Sequence, residues 1–498
     1  MTQHYLGIDL GTGSCKTSLI NQNGQIIGIG SGKYASSSGA NQWKEQQPDA
    51  ILNGMIEAVR QVLTNTNIPP STIRAVSIGS ALHGIMAVDS DGSPLTPVYT
   101  WADDRAAPQA ATIKQSQWAD DLYQQTGCPP HGMYPLYKII WIKENHPDIF
   151  NQAAKFISVK EYILAKLCGE FIIDYSVASG TGLLNTHTHQ WNPLSLEIAG
   201  ITSTQLSTLA DPRTALAVTN PALAKEMDLP ADIPVILGAS DAANSNLGAG
   251  AINERQATCM IGTSGAYRII SSRPLLHPDA SLWCYCVDET HWLVGGAINN
   301  GGLAITWLKD TLNELAPITF EELLAAAAQS LPGADGVICL PFFAGERSPN
   351  WNLDARAAFF GLSIEHSLPQ VARAILEGVA FRLRSLDEIL FDMSDSIEEV
   401  RASGGFTQSE FWVQLIADVL GRPISVPAEG ETSTLGAAMW AYLGENSSTS
   451  FENISPWVSL SKTFAPNPTT HEKYNEVYSI YKKLYQSLSI HFHEMRLV

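Results

Sequence analysis

The hydrophobic and polar positions near the start of the chain predict short strands followed by an amphipathic helix. In residues 49–64, apolar side chains recur at helical spacing, and Pro48 stands just upstream, where helices commonly begin. This alternation of strands and helices is typical of an α/β protein. Apolar runs of strand length, separated by turn residues, occupy 5–10 (YLGIDL), 17–20 (TSLI), 26–30 (IIGIG) and 74–80 (RAVSIGS).

A comparable pattern restarts near residue 252. Residues 258–270 (TCMIGTSGAYRII) predict a strand, a glycine turn and a second strand. Two glycine-bearing β-turns about 250 residues apart indicate two related halves, which we assign as domains 1–250 and 251–498. Further along, the pattern predicts helices over 306–315, 319–330, 370–391, 407–421 and 470–490, a strand over 398–403, and a surface loop over 445–456.

Composition excludes several classes of protein. With 45% hydrophobic and 16% charged residues among 498, the chain can bury large cores, which excludes disorder as its main state. The formal net charge of −19 argues against nucleic acid or an anionic membrane as a partner. An anionic substrate would therefore need a locally positive site.

The sequence also bears on location. No apolar run approaches the ~18 residues of a membrane span, and the N-terminal residues lack the features of a signal peptide. The seven cysteines form no CxxC pair. We therefore expect reduced thiols in a cytoplasmic protein.

The first candidate for chemistry is the stretch GIDLGTGSCK, residues 7–16. A tight turn of small residues around Gly11 and Thr12 lets backbone amides approach phosphate oxygens, and Asp9 has the hard oxygen ligands that suit Mg²⁺. The stretch is not a Walker A loop, because Cys15 precedes Lys16 where the motif requires glycine. A glycine-rich hairpin without a ligand is the alternative.

A second loop, Gly262-Thr263-Ser264, has the same character. Two such loops, one opening each half, suit a nucleotide whose phosphates lie between two lobes, although two plain hairpins would have the same pattern. Gly404 and Gly405 follow the strand at 398–403. Their bare backbone could accommodate an adenine ring or could form a simple strand-to-helix turn.

Asp241 follows a predicted strand and lies among small residues, in ILGASDAANSNLGAG (236–250). A carboxylate at such a position can accept the proton of a sugar hydroxyl during phosphoryl transfer. The alternative is a structural one, because an aspartate after a strand often caps a helix.

In this order and spacing, these elements resemble the nucleotide-binding core shared by sugar kinases, actin and the heat-shock chaperone ATPases. The chain most resembles the FGGY carbohydrate kinases. Both signatures of that family have counterparts here, MYPLYKIIWIKEN at 133–145 and AAFFGL at 357–362 followed by QVARAILE at 370–377. The resemblance extends from residue 5 to about 445. It implies a two-lobed α/β, ribonuclease H-like fold of the actin and hexokinase type, with a central cleft.

The resemblance also implies roles for residues. ATP with Mg²⁺ would bind in the cleft, and closure of the lobes would exclude water and align the sugar hydroxyl with the γ-phosphoryl group. Asp241 matches the catalytic base of the family, and Asp9 would hold the metal. The sequence leaves open whether the protein forms a homodimer. The nucleotide would be bound by Asp9, Gly11, Thr12, Gly262, Thr263, Ser264, Gly301, Gly302, Gly404 and Gly405.

Four further stretches resemble gluconate kinases in particular: TWADDR, TGCPPHGMYPLYKI, FISVKEYI and GERSPNW. They favour phosphorylation of D-gluconate to 6-phosphogluconate. The carboxylate of gluconate requires cations, which Arg105, Lys138, His131 and His83 could supply; Arg347 could contact phosphate or pair with acidic neighbours. The predicted substrate contacts are His83, Trp101, Asp103, Arg105, His131 and Lys138.

Three alternatives to gluconate phosphorylation are less consistent with the sequence. A ketopentose such as xylulose or ribulose comes second, because Ala242 follows Asp241 where xylulokinases usually have asparagine. Glycerol is disfavoured by Leu82-His83, where glycerol kinases have an Arg-Glu pair. A non-catalytic ATP-binding homologue is disfavoured because such a protein need not retain a carboxylate at Asp241.

Overall fold

Two mixed β-sheets, each flanked by helices, organise the chain. The computed structural model describes residues 2–38 and 43–497. Among the helices of these residues, none has the length and apolar character that crossing a membrane requires.

The strands and helices of the first half are assigned as follows. The strands are β1 (His4–Leu10), β2 (Ser14–Asn21), β3 (Ile26–Lys33), β4 (Ser36–Ser38), β5 (Lys44–Gln46), β6 (Ile73–Ser80), β7 (Met86–Val88), β8 (Val98–Tyr99), β9 (Lys155–Ile157), β10 (Ile172–Asp174), β11 (Leu184–Asn185), β12 (Gln190–Trp191), β13 (Thr208–Ala210), β14 (Ala215–Leu216) and β15 (Val235–Ile236). The helices are α1 (Pro48–Thr66), α2 (Ala107–Lys114), α3 (Ala119–Thr126), α4 (Pro135–Asn145), α5 (Pro147–Gln152), α6 (Val159–Cys168), α7 (Tyr175–Ser179), α8 (Pro193–Ala199), α9 (Pro221–Glu226) and α10 (Asp241–Gly248).

The second half continues the numbering. Its strands are β16 (Gln256–Ile261), β17 (Gly265–Ser271), β18 (Trp283–Cys286), β19 (Trp292–Ile298), β20 (Ile338–Leu340), β21 (Ala358–Phe360), β22 (Glu399–Ser403), β23 (Ile424–Pro427) and β24 (Leu460–Phe464). Its helices are α11 (Gly302–Asn313), α12 (Phe320–Gln329), α13 (Leu368–Ser394), α14 (Glu410–Leu420), α15 (Thr432–Glu445), α16 (Phe451–Ile454), α17 (Pro468–Ser489) and α18 (Phe492–Leu497).

The two large sheets, of six and seven strands, share a core of five strands with the same order and directions. The first has the order β14-β15-β6-β1-β2-β3, in which β1, β2 and β3 form an antiparallel meander and β6 and β15 continue the sheet in parallel. The second has the order β18-β19-β17-β16-β22-β23-β24, with β16, β17 and β19 as the meander and β22 and β23 parallel. The strand orders of the two sheets are consistent with two related halves, which stays a prediction.

Helix α15 lies late in the sequence but packs on the first sheet. Its backbone lies directly against β1 and α10, because glycine is present at both contacts. A Cβ atom at Gly7 of β1 would collide with the backbone of Ala438, and one at Gly436 would collide with the backbone of Asn244. The chain thus returns to the first sheet after completing most of the second, and the 250/251 boundary stays a prediction.

Most predicted elements are confirmed, with ends displaced by a few residues. The helix predicted over 49–64 is α1, and the one over 370–391 is α13. The prediction of a surface loop over 445–456 is wrong in part, because this segment contains the short helix α16. Ser450 and Asn453 form a capping box there, and Phe451 and Ile454 are buried, so local capping and apolar packing both favour a helical turn.

Candidate active site

Asp9 and Asp241 meet at one edge of the first sheet. Asp9 is near the carboxyl end of β1, and a parallel bridge from Ser80 to Ser240 aligns the segment before Asp241 with the end of β6. The carboxyl ends of parallel strands lie together, which is where α/β proteins commonly bind ligands. The hydroxyl of Ser433, in α15, donates to Oδ2 of Asp9 at 2.7 Å and lies 3.5 Å from the carbonyl oxygen of Asp241. The structure therefore brings these two predicted residues together.

Asp241 is not the helix cap that the alternative required. Ser240 caps α10 by accepting a hydrogen bond from the backbone N–H of Ala243, and Asp241 is the first helical residue. Its carboxylate accepts the N–H of Ala242 at 2.8 Å. Burial raises the pKa of Asp241 to about 7, and the neighbouring Asp9 adds to that rise, while Arg268 opposes it.

Asp9 has the features of a cation ligand. Burial raises its pKa, and its Oδ1 atom is buried without a hydrogen-bond partner among the described residues. Across residues 2–38 and 43–497, no cluster of three or more His, Cys, Asp or Glu side chains converges on a metal position. One carboxylate with a free oxygen fits Mg²⁺, which usually takes one or two protein carboxylates and completes its shell with phosphates and water.

The first glycine loop is held by side chains around it. The hydroxyl of Tyr34 donates to the carbonyl of Gly11 at 2.5 Å, and Gln46 donates to the carbonyl of Thr12. The indole N–H of Trp101 donates to the Thr12 hydroxyl at 2.9 Å. A predicted substrate residue and a predicted phosphate-loop residue are therefore in direct contact.

The second glycine loop joins β16 to β17 and packs on the start of α11. The backbone N–H of Gly301 donates to the carbonyl of Thr263 at 3.2 Å, and that of Gly302 donates to Gly262 at 2.7 Å. A Cβ atom at Gly301 would collide with the backbone of Ser264, so glycine is required for this approach. The structure thus joins the predicted residues 262–264 and 301–302 in one backbone-rich surface.

Gly404 and Gly405 lie beside that loop. Gly404 follows β22, which runs parallel to β16, and it adopts φ 95°, a conformation that favours glycine. A Cβ atom at Gly404 would come within 2.5 Å of the carbonyl of Ile261, whereas one at Gly405 would have open space around it among the described residues. Gly405 therefore leaves room for a flat group to approach the backbone.

A cavity of about 610 Å³ lies between the two halves, a size common for small-molecule sites. Trp101, Asp103 and His131 contribute to its lining from the first half, and Asn299, Phe343 and Arg347 from the second. The guanidinium of Arg347 lies 5.4 Å from the centre of the Trp101 ring, and its Nε donates to Asn299 at 2.7 Å. Arg347 is thus a cation in the cavity wall.

His83 and His131 are neutral hydrogen-bonding groups rather than the cations expected from the sequence. Burial, with neighbouring Lys138 and Arg347, lowers the pKa of each to about 3. Nδ1 of His131 accepts the N–H of Met133 at 3.1 Å, which leaves the proton on Nε2, a buried donor without a partner among the described residues.

Arg105 and Lys138 also differ from their expected use, because each already donates hydrogen bonds to neighbouring protein groups. Arg105 donates to both oxygens of Asp103 and to Glu45 at 2.6–2.8 Å. Its guanidinium also lies 3.7 Å from the centre of the Tyr99 ring. Lys138 is fully buried and donates to the carbonyls of His83 and Thr100, and burial lowers its pKa to about 7. Through their bonds to Thr100 and Asp103, both side chains stabilise the turn that contains Trp101.

Two residues near Asp9 and Asp241 were not found from the sequence. Ser433 and Arg268 belong to segments far from Asp9 and Asp241, and neither forms part of a motif with them. Arg268 does lie in the predicted strand-turn-strand stretch 258–270, where a charged residue inside an apolar strand was the available signal. A buried arginine is uncommon unless it is paired or functional.

Two matched sheets, a cleft between them and a glycine loop at the mouth of each half define the two-domain actin-like class of α/β proteins. Comparison with known proteins agrees with this assignment of the fold. Models of the N-terminal and C-terminal domains of the "FGGY family of carbohydrate kinases" match residues 4–248 and 257–444. The chain belongs to the FGGY family of carbohydrate kinases.

Individual relatives refine this assignment. A gluconokinase from Bacillus licheniformis is 35% identical over 497 residues, covering 98% of this chain and 96% of that protein. A xylulose kinase from Staphylococcus epidermidis is 28% identical, covering 97% and 96%. Two structures from Lactobacillus acidophilus, one described as gluconate kinase and one as ligand-bound xylulose kinase, each have TM-score 0.95 and 32% identity, covering 99% of this chain and 100% of theirs.

The protein is therefore an ATP-dependent sugar kinase, and the predictions of family, fold and enzyme class are confirmed. Kinases of this family use ATP as a substrate and typically a divalent metal. Sugar and ATP are accordingly its substrate classes.

Proposed function

We propose that the protein transfers the γ-phosphoryl group of ATP to D-gluconate, forming 6-phosphogluconate, with Asp241 as general base. The cavity between the halves carries this proposal, because Arg347 and His131 both line it, and Nε2 of His131 is a buried donor without a partner among the described residues. A cation and a neutral donor suit one carboxylate on a polyhydroxylated chain. The 35% identity to a gluconokinase supports the same substrate.

Asp241 would start the reaction by accepting the proton of the attacking hydroxyl. The hydroxyl oxygen then forms a bond to the γ-phosphorus, while the bond from that phosphorus to the bridging oxygen breaks and its electron pair leaves with ADP. Backbone amides of the loops at 11–12 and 262–264 would bind the phosphates. Mg²⁺, held through Asp9, would supply charge neutralisation on the phosphate oxygens.

Further predictions accompany this function. The sugar site and first phosphate loop are assigned to domain 1–250, with Arg347 contributing to the sugar site from the other half, and the second loop and adenosine site to 251–498. A cytoplasmic location agrees with the cysteines, each of which is buried and free. The homodimer remains open.

A ketopentose kinase is the second candidate. Support for it comes from the relatives named xylulose kinase, including the Lactobacillus acidophilus chain with the same TM-score as the gluconate kinase. The two substrates differ in one decisive group, since xylulose has no carboxylate to use the charge of Arg347.

The test is ADP release from ATP and Mg²⁺, coupled to a spectroscopic readout, with gluconate, xylulose, ribulose and glycerol as acceptors. We expect kcat/KM to be highest for gluconate and to fall by about 10³-fold or more in Asp241→Asn, the upper part of the range for loss of a general base. The matched control is Asp228→Asn, which alters an exposed aspartate paired with Arg60 and should keep full activity. Preference for a ketose would overturn the substrate, and an active Asp241→Asn would overturn the base.

A further inference from the structure

Arg268 is a buried guanidinium whose position no part of the proposed mechanism explains. It lies on β17 of the second sheet, and only 4% of its surface is exposed. Its stem packs against the backbone at Gly295, where a Cβ atom would come within 2.7 Å of Cγ of Arg268. The same Cβ atom would come within 2.4 Å of the carbonyl oxygen of Tyr267, so glycine is required where β19 passes β17 at this point.

The guanidinium of Arg268 reaches from the second sheet to the helix that bears the candidate base. Its Nη1 donates to the carbonyl of Ala242, the residue after Asp241, at 3.4 Å. Its Nε and Nη2 atoms are buried without hydrogen-bond partners among the described residues. Buried donors without hydrogen-bond partners lower the stability of a protein. An arginine with two such donors beside a carboxylate therefore indicates a functional reason for its position.

Strand β17 also begins directly after the second glycine loop. Gly265 pairs with Ile261 across that loop, and Arg268 pairs with Thr258 three positions further along the same strands. One short, hydrogen-bonded strand therefore connects a loop proposed to bind the phosphates of ATP with the side chain that reaches α10. Phosphoryl transfer requires the base, the hydroxyl and the phosphorus to be aligned closely.

We propose that Arg268 is a positioning residue that aligns Asp241 with the phosphate loop of the opposite half. It acts from β17 through its contact with the first turn of α10 and through its charge beside the Asp241 carboxylate. This inference rests on the proposed role of Asp241 as general base. It concerns the geometry of transfer rather than the binding of either substrate.

The test is a double-mutant cycle on the full-length enzyme, with the acceptor that gives the highest turnover. We expect Arg268→Met to lower kcat by about 10²-fold, a loss typical of misaligned reacting groups, with KM for ATP and for the acceptor changed by less than about threefold. Arg268→Lys keeps the charge and should recover about tenfold of that loss. In an Asp241→Asn background, Arg268→Met should change the residual rate by no more than about twofold.

Other results would overturn the inference. A kcat for Arg268→Met within about threefold of the native enzyme would do so, as would a loss equally large in the Asp241→Asn background, which marks a role unrelated to the base. If Arg268→Met is unfolded at the assay temperature, Arg268→Lys is taken through the same cycle and judged by the same coupling. Arg401→Met, on strand β22 of the same sheet and separated from β17 by β16, is the matched control and should leave kcat unchanged.

The two proposals fail in different ways. A fully active Asp241→Asn overturns the base assignment and this inference with it. Loss of activity in Asp241→Asn together with full activity in Arg268→Met overturns only the role of Arg268.

Discussion

At the residue scale, the proposed chemistry depends on the ionisation of Asp241. Burial and Asp9 raise its pKa to about 7, so the carboxylate binds a proton below that pH and cannot accept one from the substrate. We expect kcat/KM to fall about tenfold for each pH unit below about pH 7 and to level off above it. A profile of kcat/KM against pH measures this. The residual rate of Asp241→Asn should lack that limb, and a flat native profile between about pH 5.5 and 8 would contradict the assignment.

The second prediction at this scale concerns His131. Because its pKa is lowered to about 3, it should bind substrate as a neutral donor at all assay pH values. We expect His131→Ala to raise KM for gluconate by about 10- to 100-fold, as loss of a hydrogen bond to a charged group would, and to leave KM for ATP unchanged. Steady-state kinetics with varied gluconate measures the effect. His187→Ala, at an exposed histidine, is the control; an unchanged KM in His131→Ala would exclude a substrate contact.

At the scale of elements, the site depends on the close packing of β1, α10 and α15. Gly436 lies in α15 against the backbone of Asn244 in α10, the helix that begins with Asp241. In Gly436→Ala, overpacking costs about 1–3 kcal/mol, which outweighs the gain of about 1 kcal/mol in helix propensity, because backbone atoms cannot move aside as a flexible side chain can.

We therefore expect Gly436→Ala to lower both the midpoint of thermal unfolding and kcat. Scanning fluorimetry and the ADP-release assay measure the two quantities. Gly430→Ala is the matched control, since its Cβ atom would enter open space among the described residues. An unfolding midpoint for Gly436→Ala equal to that of Gly430→Ala would show that α10 and α15 separate more easily than this packing implies.

At the scale of the whole molecule, the cavity needs both halves. Trp101 and His131 come from one side, and Asn299 and Arg347 from the other, so a ligand that contacts all four should hold the halves together. We expect gluconate with a non-hydrolysable ATP analogue to reduce the radius of gyration measured by small-angle X-ray scattering. Arg347→Ala should diminish the part of this change that gluconate causes. An unchanged radius with both ligands bound would argue against closure.

Local patterns in the sequence determined much of this protein. Apolar periodicity identified elements such as β1 and α13 to within a few residues, because each pattern reflects burial of one side of one element. The glycine turns at 11–13 and 262–265 indicated the two loops for the same reason, since a tight turn is a local property. Motif resemblance then identified the family, which full-length comparison confirmed.

Only the tertiary structure decided which charges are available in the cleft. Arg105 and Lys138 had the right residue type, but Asp103 and Glu45 neutralise the first, and backbone carbonyls occupy the second. Ser433 and Arg268 reach Asp9 and the first turn of α10 from a helix and a strand of the second half. Whether a cation is free, or a serine lies beside an aspartate more than 400 residues earlier, depends on long-range packing, which leaves no period or spacing in the sequence.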